Sequence, residues 1–142
     1  MIQKHCFNCG TKLIEKELKG EGIVPFCENC NSFQFPMYNI AVSMIVVNEE
    51  TDKIMLIKQY GDPFYILVAG YVNRGEPLEN AVVREIKEET GLTISDLQPC
   101  GFKDWIQEDG TRYIVLLYKT NKYEGEIKSL EEKKEIYQQL KD

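Results

Sequence analysis

The chain has 142 residues, of which 43% are hydrophobic and 28% are charged. This size and composition predict one globular domain with at most a small appendage, and they exclude a multi-domain assembly. The formal net charge is −6, which is the wrong sign for a protein that grips nucleic acid mainly through its phosphates. We therefore do not expect nucleic acid to be the main partner.

The sequence also predicts a protein of the cytoplasm. Its longest apolar stretch, residues 40–47, is far shorter than the roughly 20 residues that cross a bilayer, so no membrane span is expected. The first residues lack both the apolar segment of a secretory signal and the Arg/Ser-rich pattern of a transit peptide.

Four of the five cysteines form two Cys-x-x-Cys pairs near the start of the chain: Cys6 with Cys9, and Cys27 with Cys30. This spacing is typical of a zinc site with four thiolate ligands. Two disulfides are the alternative, but disulfides rarely persist in the reducing cytoplasm. Four protein ligands would fill the tetrahedron, so the Zn²⁺ would be structural. Residues 1–36 are thus predicted to form a zinc ribbon that folds only with its metal bound.

The remaining residues, 37–142, predict a second domain built on a central sheet. Segments rich in Val and Ile at residues 38–47 and 54–60 flank a polar cluster, which predicts a β-hairpin. Residues 64–69 predict a third strand, and Gly70 is expected to end it.

Two more strands are predicted at residues 102–106 and 113–119, joined by an Asp-Gly turn. Ser129 and Glu132 have the spacing of a capping box, which predicts a short final helix that ends near Leu140. Together these elements predict a mixed α/β domain.

Between residues 78 and 90 apolar residues recur every four positions, which predicts an amphipathic helix that Gly91 ends. At about 100° per residue, Glu85, Glu88 and Glu89 fall on one side of this helix, at the border of its apolar stripe. Three carboxylates so close together repel one another and are costly to desolvate, so a cation should lie among them. Ligands that are all oxygen favour a hard divalent ion such as Mg²⁺ or Mn²⁺.

Arg84 precedes these glutamates and is a candidate partner for Glu76 in the preceding loop, where the pair could hold loop and helix in register. An ordinary solvated face is the alternative explanation of a Glu-rich helix. However, the whole segment resembles the Nudix box, Gly-x5-Glu-x7-Arg-Glu-U-x-Glu-Glu-x-Gly-U with U aliphatic. Every specified position is met: Gly70, Glu76, Arg84, Glu85, Ile86, Glu88, Glu89, Gly91 and Leu92.

The resemblance to the Nudix family implies an α/β (α+β) fold, an α/β/α sandwich with a mixed sheet, and hydrolysis of a nucleoside diphosphate linked to another group. By this resemblance three glutamates of the box would ligate the catalytic divalent ions, and the Gly70 carbonyl would add a ligand. Arg84 and Glu76 would be supporting residues. The ligand glutamates are Glu85, Glu88 and Glu89.

The general base is less well defined by the resemblance. Glu85 or Glu89 is a candidate within the box, and some subfamilies use a glutamate outside it. By ungapped position Glu131 is the first candidate outside the box, followed by Glu132 and Glu126. An exposed capping helix would explain these three acidic residues equally well.

With the cysteine pairs ahead of the box, the chain resembles the NADH pyrophosphatase group. NADH-cleaving members carry a Ser-Gln-Pro-Trp array, which this chain lacks: Gln98-Pro99-Cys100 stands there and Trp105 comes later. The resemblance implies a nucleotide substrate such as ADP-ribose, a dinucleotide or a nucleoside triphosphate, and it leaves a homodimer open.

Four further residues carry separate expectations. Trp105 and Tyr71 could stack on a nucleobase, because every base offers a π-face, or could pack in the core. His5, the sole histidine, is expected on the surface and not as a metal ligand. Cys100 is expected to pack as a small apolar group.

A different class of function is a non-catalytic nucleotide sensor, or an adaptor whose zinc ribbon contacts RNA or a protein. Four lysines make the ribbon locally basic: Lys4, Lys12, Lys16 and Lys19. The complete acidic set favours the hydrolase, because a sensor has no need of three metal-binding glutamates.

Overall fold

The computed structural model describes residues 3–59, 63–127 and 134–140, and within these residues it contains eleven strands and one helix. The elements in chain order are β1 (Ile14–Leu18), β2 (Gly22–Cys27), β3 (Ser32–Phe33), β4 (Tyr38–Asn48), β5 (Lys53–Gln59), β6 (Val68–Tyr71), α1 (Leu78–Thr90), β7 (Thr93–Ser95), β8 (Gln98–Ile106), β9 (Arg112–Thr120), β10 (Lys122–Glu124) and β11 (Lys134–Leu140).

The chain divides into two compact units. The first unit comprises Met1–Asn39 and Trp105–Tyr113, and the second comprises Ile40–Asp104 and Ile114–Asp142. No helix in the described part of the chain is long and apolar enough to span a membrane.

The first unit contains a small antiparallel sheet of β1, β2 and β3. Gly20 and Gly22 have positive φ of 89° and 84°, a conformation open to glycine that lets the chain reverse between β1 and β2. The buried side of β2 carries Val24 and Phe26, and the Phe26 ring meets Phe33 edge-on at 4.9 Å. Cys27 is the buried last residue of β2, and Cys30 lies in the turn between β2 and β3.

The second unit is built on a sheet with the strand order β11-β5-β4-β9-β8, and β6 pairs with β4 in the register Val42↔Gly70. Consecutive residues of β4 are buried at 42–44 and 46–47, so this strand is covered on both of its faces. The core cluster consists of Val42, Met44, Val46, Met55, Ile57, Val68, Ala81, Val82, Ile86, Leu92, Ile94 and Tyr118. The mixed α+β class predicted from the sequence is therefore confirmed.

Helix α1 covers the predicted residues, and Gly91 ends it in the left-handed conformation with φ of 81°. The Gly91 N–H donates to the Lys87 carbonyl at 3.0 Å, which closes the last turn. Val82 and Ile86 are fully buried, and burial of each contributes about 1.5–3 kcal/mol. This packing fixes the rotation of the helix and therefore the side on which its glutamates lie.

The predicted final helix is wrong over the part of it that the structure describes. Lys134–Leu140 forms β11, which pairs antiparallel with β5 in the register Ile136↔Ile57. The other side of β5 is bonded to β4, and an open strand edge favours pairing with a further extended segment. The capping box of Ser129 and Glu132 lies outside the described residues. This long-range pairing overrides a local helix signal.

Candidate active site and metal centre

The segment from β6 to α1 brings together the acidic residues that the sequence singled out. The three helix carboxylates differ in exposure: the Glu85 side chain is 13% exposed and that of Glu88 56%, while Glu89 as a residue is 8% exposed. The position of Glu85 and Glu89 beside the buried stripe follows from the spacing of Val82 and Ile86 on the same helix.

Arg84 is the centre of a hydrogen-bond network. Its Nε and Nη2 atoms donate to the two carboxylate oxygens of Glu76 at 2.7 and 2.9 Å, which is the bidentate geometry that makes Arg–carboxylate pairs strong. Its Nη1 atom donates to Glu85 at 2.8 Å and to Glu88 at 3.2 Å, and Nη2 also donates to the Tyr71 carbonyl at 3.1 Å. The ion pair between Arg84 and Glu76 that the sequence predicted is therefore present.

The network ties the loop before α1 to the helix. The Asn73 N–H donates to Glu76 Oε1 at 3.1 Å, and the Glu76 N–H donates to the Asn73 carbonyl at the same distance. Hydrogen bonds from Arg84, together with that of Asn73, lower the pKa of Glu76 to about 2. The carboxylate is thus ionised whenever the protein is near neutral pH.

Glu85 has the opposite electrostatic environment. Burial raises the pKa of Glu85, Arg84 opposes that rise, and the neighbouring Glu88 and Glu89 add to it. Glu76, Glu85 and Glu88 all contact Arg84, so carboxylates outnumber this guanidinium at the site. The excess negative charge and the oxygen-only donor set fit a hard divalent cation such as Mg²⁺.

Gly70 lies within β6, so the prediction that it ends the strand is wrong. A Cβ atom at this position would lie closer than 3.0 Å to the carboxylate of Glu85. The backbone of residue 70 therefore runs directly against the Glu85 side chain, and only glycine leaves room for it. This close approach gives a steric reason for the glycine at the first position of the box motif.

The remaining predicted site residues lie in different parts of the chain. Tyr71 is 61% exposed at the end of β6. Trp105 belongs to the first unit, where it is 41% exposed and stacks on the Tyr113 ring with centroids 5.3 Å apart. Glu126 is exposed, whereas Glu131 lies outside the described residues, as does Glu132.

The four cysteines of the two pairs converge in the first unit. The Sγ atoms of Cys6, Cys9, Cys27 and Cys30 all lie within 4.8 Å of one another, with Cys6–Cys30 at 3.9 Å and Cys9–Cys27 at 3.5 Å. A regular tetrahedron with Zn–S bonds of 2.3 Å places its sulfurs about 3.8 Å apart. All five cysteines of the chain are free thiols, so the disulfide alternative has no support.

Backbone N–H groups point at the sulfurs of each pair. The N–H groups of Asn8 and Cys9 face Cys6 Sγ at 3.4 and 3.5 Å, and the Cys30 N–H faces Cys27 Sγ at 3.3 Å. Two residues that directly follow the second cysteine of a pair have positive φ: Gly10 at 78° and Asn31 at 53°.

The sequence analysis missed Asn31, although asparagine tolerates the same left-handed conformation as glycine. It also missed Gln34, whose side chain donates to Cys6 Sγ at 2.8 Å. Asn31 could have been found as the counterpart of Gly10 in the second pair. Gln34 has no such local signal.

Two smaller expectations have different outcomes. His5 is exposed and outside the cysteine cluster, as predicted. Cys100 is exposed, so the prediction that it packs is wrong. The reason is that Cys100 lies on β8, which ends the order of the sheet and has every residue exposed.

The NUDIX domain model matches residues 37–139, so the chain belongs to the Nudix family. It is 32% identical over 104 residues to the NAD-capped RNA hydrolase NudC of Pseudomonas aeruginosa, covering 72% of this chain and 36% of that protein. It is 32% identical over 106 residues to Nudix hydrolase 19, chloroplastic, of Arabidopsis thaliana, covering 73% of this chain and 24% of that protein. The chain thus spans about a third or less of the length of these two curated relatives.

Solved structures show the same relationship. The MutT NUDIX hydrolase from Burkholderia pseudomallei superimposes with a TM-score of 0.63 at 26% identity, over 72% of this chain and 83% of that one.

Proposed function

We propose that this protein hydrolyses the pyrophosphate bond of a nucleoside diphosphate linked to a further group, with the help of a divalent metal ion. The observation that supports this is the group of carboxylates around Arg84, together with the burial of Glu85 and Glu89 on the same helix. Burying ionised groups is costly unless a cation compensates them. A structural salt bridge needs one glutamate for this arginine, whereas several glutamates surround it here.

The carboxylates of Glu85, Glu88 and Glu89, with the Gly70 carbonyl, would hold Mg²⁺ or Mn²⁺. The metal supplies positive charge that offsets the phosphate oxygens and makes an attacking water more acidic. Arg84 positions Glu85 by hydrogen bonding, and Glu76 in turn holds Arg84.

A glutamate would accept the proton of the attacking water. Within the box the candidates are Glu85 and Glu89, and the first candidate outside the box is Glu131.

The substrate we propose is a dinucleotide or ADP-ribose-like molecule. The Pseudomonas aeruginosa relative is named as a hydrolase of NAD-capped RNA, so an RNA end that carries a dinucleotide is a second candidate substrate. Tyr71 and Trp105 are candidates to stack on its bases. The acidic net charge of −6 favours the smaller molecules.

We also propose that the four cysteines bind a structural Zn²⁺. The support for this is the spacing of their sulfurs, which matches tetrahedral zinc, together with backbone N–H groups that face Cys6 and Cys27. With four cysteine ligands the zinc would keep no open coordination position, so it would not take part in catalysis.

The test is Mg²⁺-dependent release of nucleoside monophosphate from a panel of substrates. The panel contains NADH, ADP-ribose, diadenosine polyphosphates, nucleoside triphosphates and an NAD-capped RNA oligonucleotide. Glu89→Gln should abolish turnover, whereas Glu79→Gln, an exposed position on the same helix, should leave it unchanged. Zinc-loaded, folded protein that turns over no member of the panel would favour the non-catalytic nucleotide sensor.

A further inference from the structure

Gln34 is a buried polar residue that belongs to neither cysteine pair. It follows β3 and is 3% exposed. Its backbone N–H donates to the Pro25 carbonyl at 2.8 Å, which fixes the residue beside β2. The side chain therefore enters the metal centre from a part of the chain that supplies no ligand.

The amide of Gln34 has a partner on each side. Its Oε1 atom accepts hydrogen bonds from Gln3 Nε2 at 2.8 Å and from the Phe7 N–H at 3.3 Å. Its Nε2 atom donates to Cys6 Sγ at 2.8 Å. The reverse amide orientation would place the NH₂ group against two donors, so the network fixes the N–H toward the sulfur.

This contact is shorter than the other hydrogen bonds to Cys6, since the N–H groups of Asn8 and Cys9 lie at 3.4 and 3.5 Å. A hydrogen bond to an ionised acceptor is stronger than a neutral one. A zinc-bound cysteine is such an acceptor, and partners that orient metal ligands contribute to metal affinity.

We propose that Gln34 is a positioning residue of the metal centre, whose amide N–H holds the Cys6 thiolate and slows the loss of zinc. This inference rests on the zinc site proposed above. It means that a residue outside both Cys-x-x-Cys pairs helps the protein to retain its zinc.

The decisive variant is Gln34→Glu, studied in the full chain at mildly alkaline pH. It keeps the shape and an oxygen acceptor for Phe7 and Gln3, and it replaces the donor that faces the sulfur with a negatively charged acceptor. We expect zinc affinity to fall about 10- to 100-fold, measured by competition with a chromophoric chelator. Gln98→Glu adds the same charge at an exposed position of β8 and should leave zinc affinity unchanged.

A spectroscopic readout separates positioning from packing. After replacement of zinc by Co²⁺, the sulfur-to-cobalt charge-transfer band of Gln34→Glu should shift to longer wavelength. The reason is that a thiolate without its hydrogen bond is a better electron donor. An unchanged affinity and an unchanged band would overturn the inference.

The zinc content of the unaltered protein distinguishes the two proposals. If that protein holds no zinc, the zinc site itself is refuted. If it holds one zinc per chain and Gln34→Glu releases it at the same rate, only the role of Gln34 is refuted. Should Gln34→Glu fail to fold, Gln3→Ala decides, because it leaves the donor in place but removes the shorter of the two hydrogen bonds that orient the amide. Faster zinc release then supports the inference, and an unchanged rate overturns it.

Discussion

At the scale of single residues, Arg84 shows how one side chain can hold several carboxylates in place. Within the described part of the chain its guanidinium makes five hydrogen bonds, three of them to Glu76 and the Tyr71 carbonyl and two to helix glutamates. A planar fork of donors is needed for this arrangement, and the point charge of lysine cannot reproduce it.

We therefore expect Arg84→Lys to keep the charge but lose the geometry. Hydrolysis by this variant should fall by about 100-fold in kcat, because the glutamates are no longer held in register. The matched control is Arg74→Lys, an exposed position in the loop before the helix. Equal rates for Arg84→Lys and the unaltered protein would contradict this role of Arg84.

Gly70 carries a second prediction at this scale. Gly70→Ala should lower the free energy of unfolding by about 1–3 kcal/mol, because the added methyl group overlaps the Glu85 carboxylate. The measurement is a double-mutant cycle by chemical denaturation. In a Glu85→Ala background the same substitution should cost much less, and an equal cost would show that the strain lies elsewhere.

At the scale of elements, the ion pair between the loop after β6 and helix α1 should make the stability of the fold depend on pH. The pKa of Glu76 is lowered from 4.5 to about 2. A carboxyl with a lowered pKa stabilises the fold above its unfolded-state value and loses that contribution as the pH falls through the folded-state value. The relevant window therefore runs from about pH 4.5 down to about pH 2.

We expect Glu76→Gln to be less stable than the unaltered protein at neutral pH and to approach it as the pH falls through that window. The quantity to measure is the difference in free energy of unfolding between the two proteins, since shared effects such as cysteine protonation then cancel. The matched control is Glu79→Gln, which alters an exposed glutamate of helix α1. A difference that stays constant down to pH 2 would exclude Glu76 as the source.

The elements also show what the sequence could predict. Helix α1 was predicted at its correct bounds because periodicity, the Nudix box and Gly91 all indicate the same element. The final helix failed because a capping box is local, whereas β11 forms by pairing with β5 some 80 residues earlier. Gln34 was missed for the same reason, since its partner Cys6 is 28 residues away.

At the scale of the whole molecule, the two units are stabilised by different means. The second unit has a hydrophobic core of its own, whereas the first has few buried apolar side chains and a cluster of four cysteines. A unit with so small a core usually needs a metal or disulfides to fold.

We expect removal of zinc by a strong chelator to unfold the first unit and leave the core of the second intact. In hydrogen exchange, the amides of β1 and β2 should lose protection while those of α1 keep it. Addition of zinc should restore the protection of β1 and β2. Protection that is lost equally in α1 would show that the second unit does not fold by itself.

The position of Trp105, which stacks on Tyr113, offers a way to follow the unfolding of the two units separately. Trp105 is the single tryptophan of the chain and belongs to the first unit, whereas α1 belongs to the second. Tryptophan fluorescence therefore reports on the first unit, whereas the helical circular dichroism of α1 reports on the second. If the units unfold separately, the two signals will give different midpoints in one denaturation series, and a single unfolding free energy will not describe the protein.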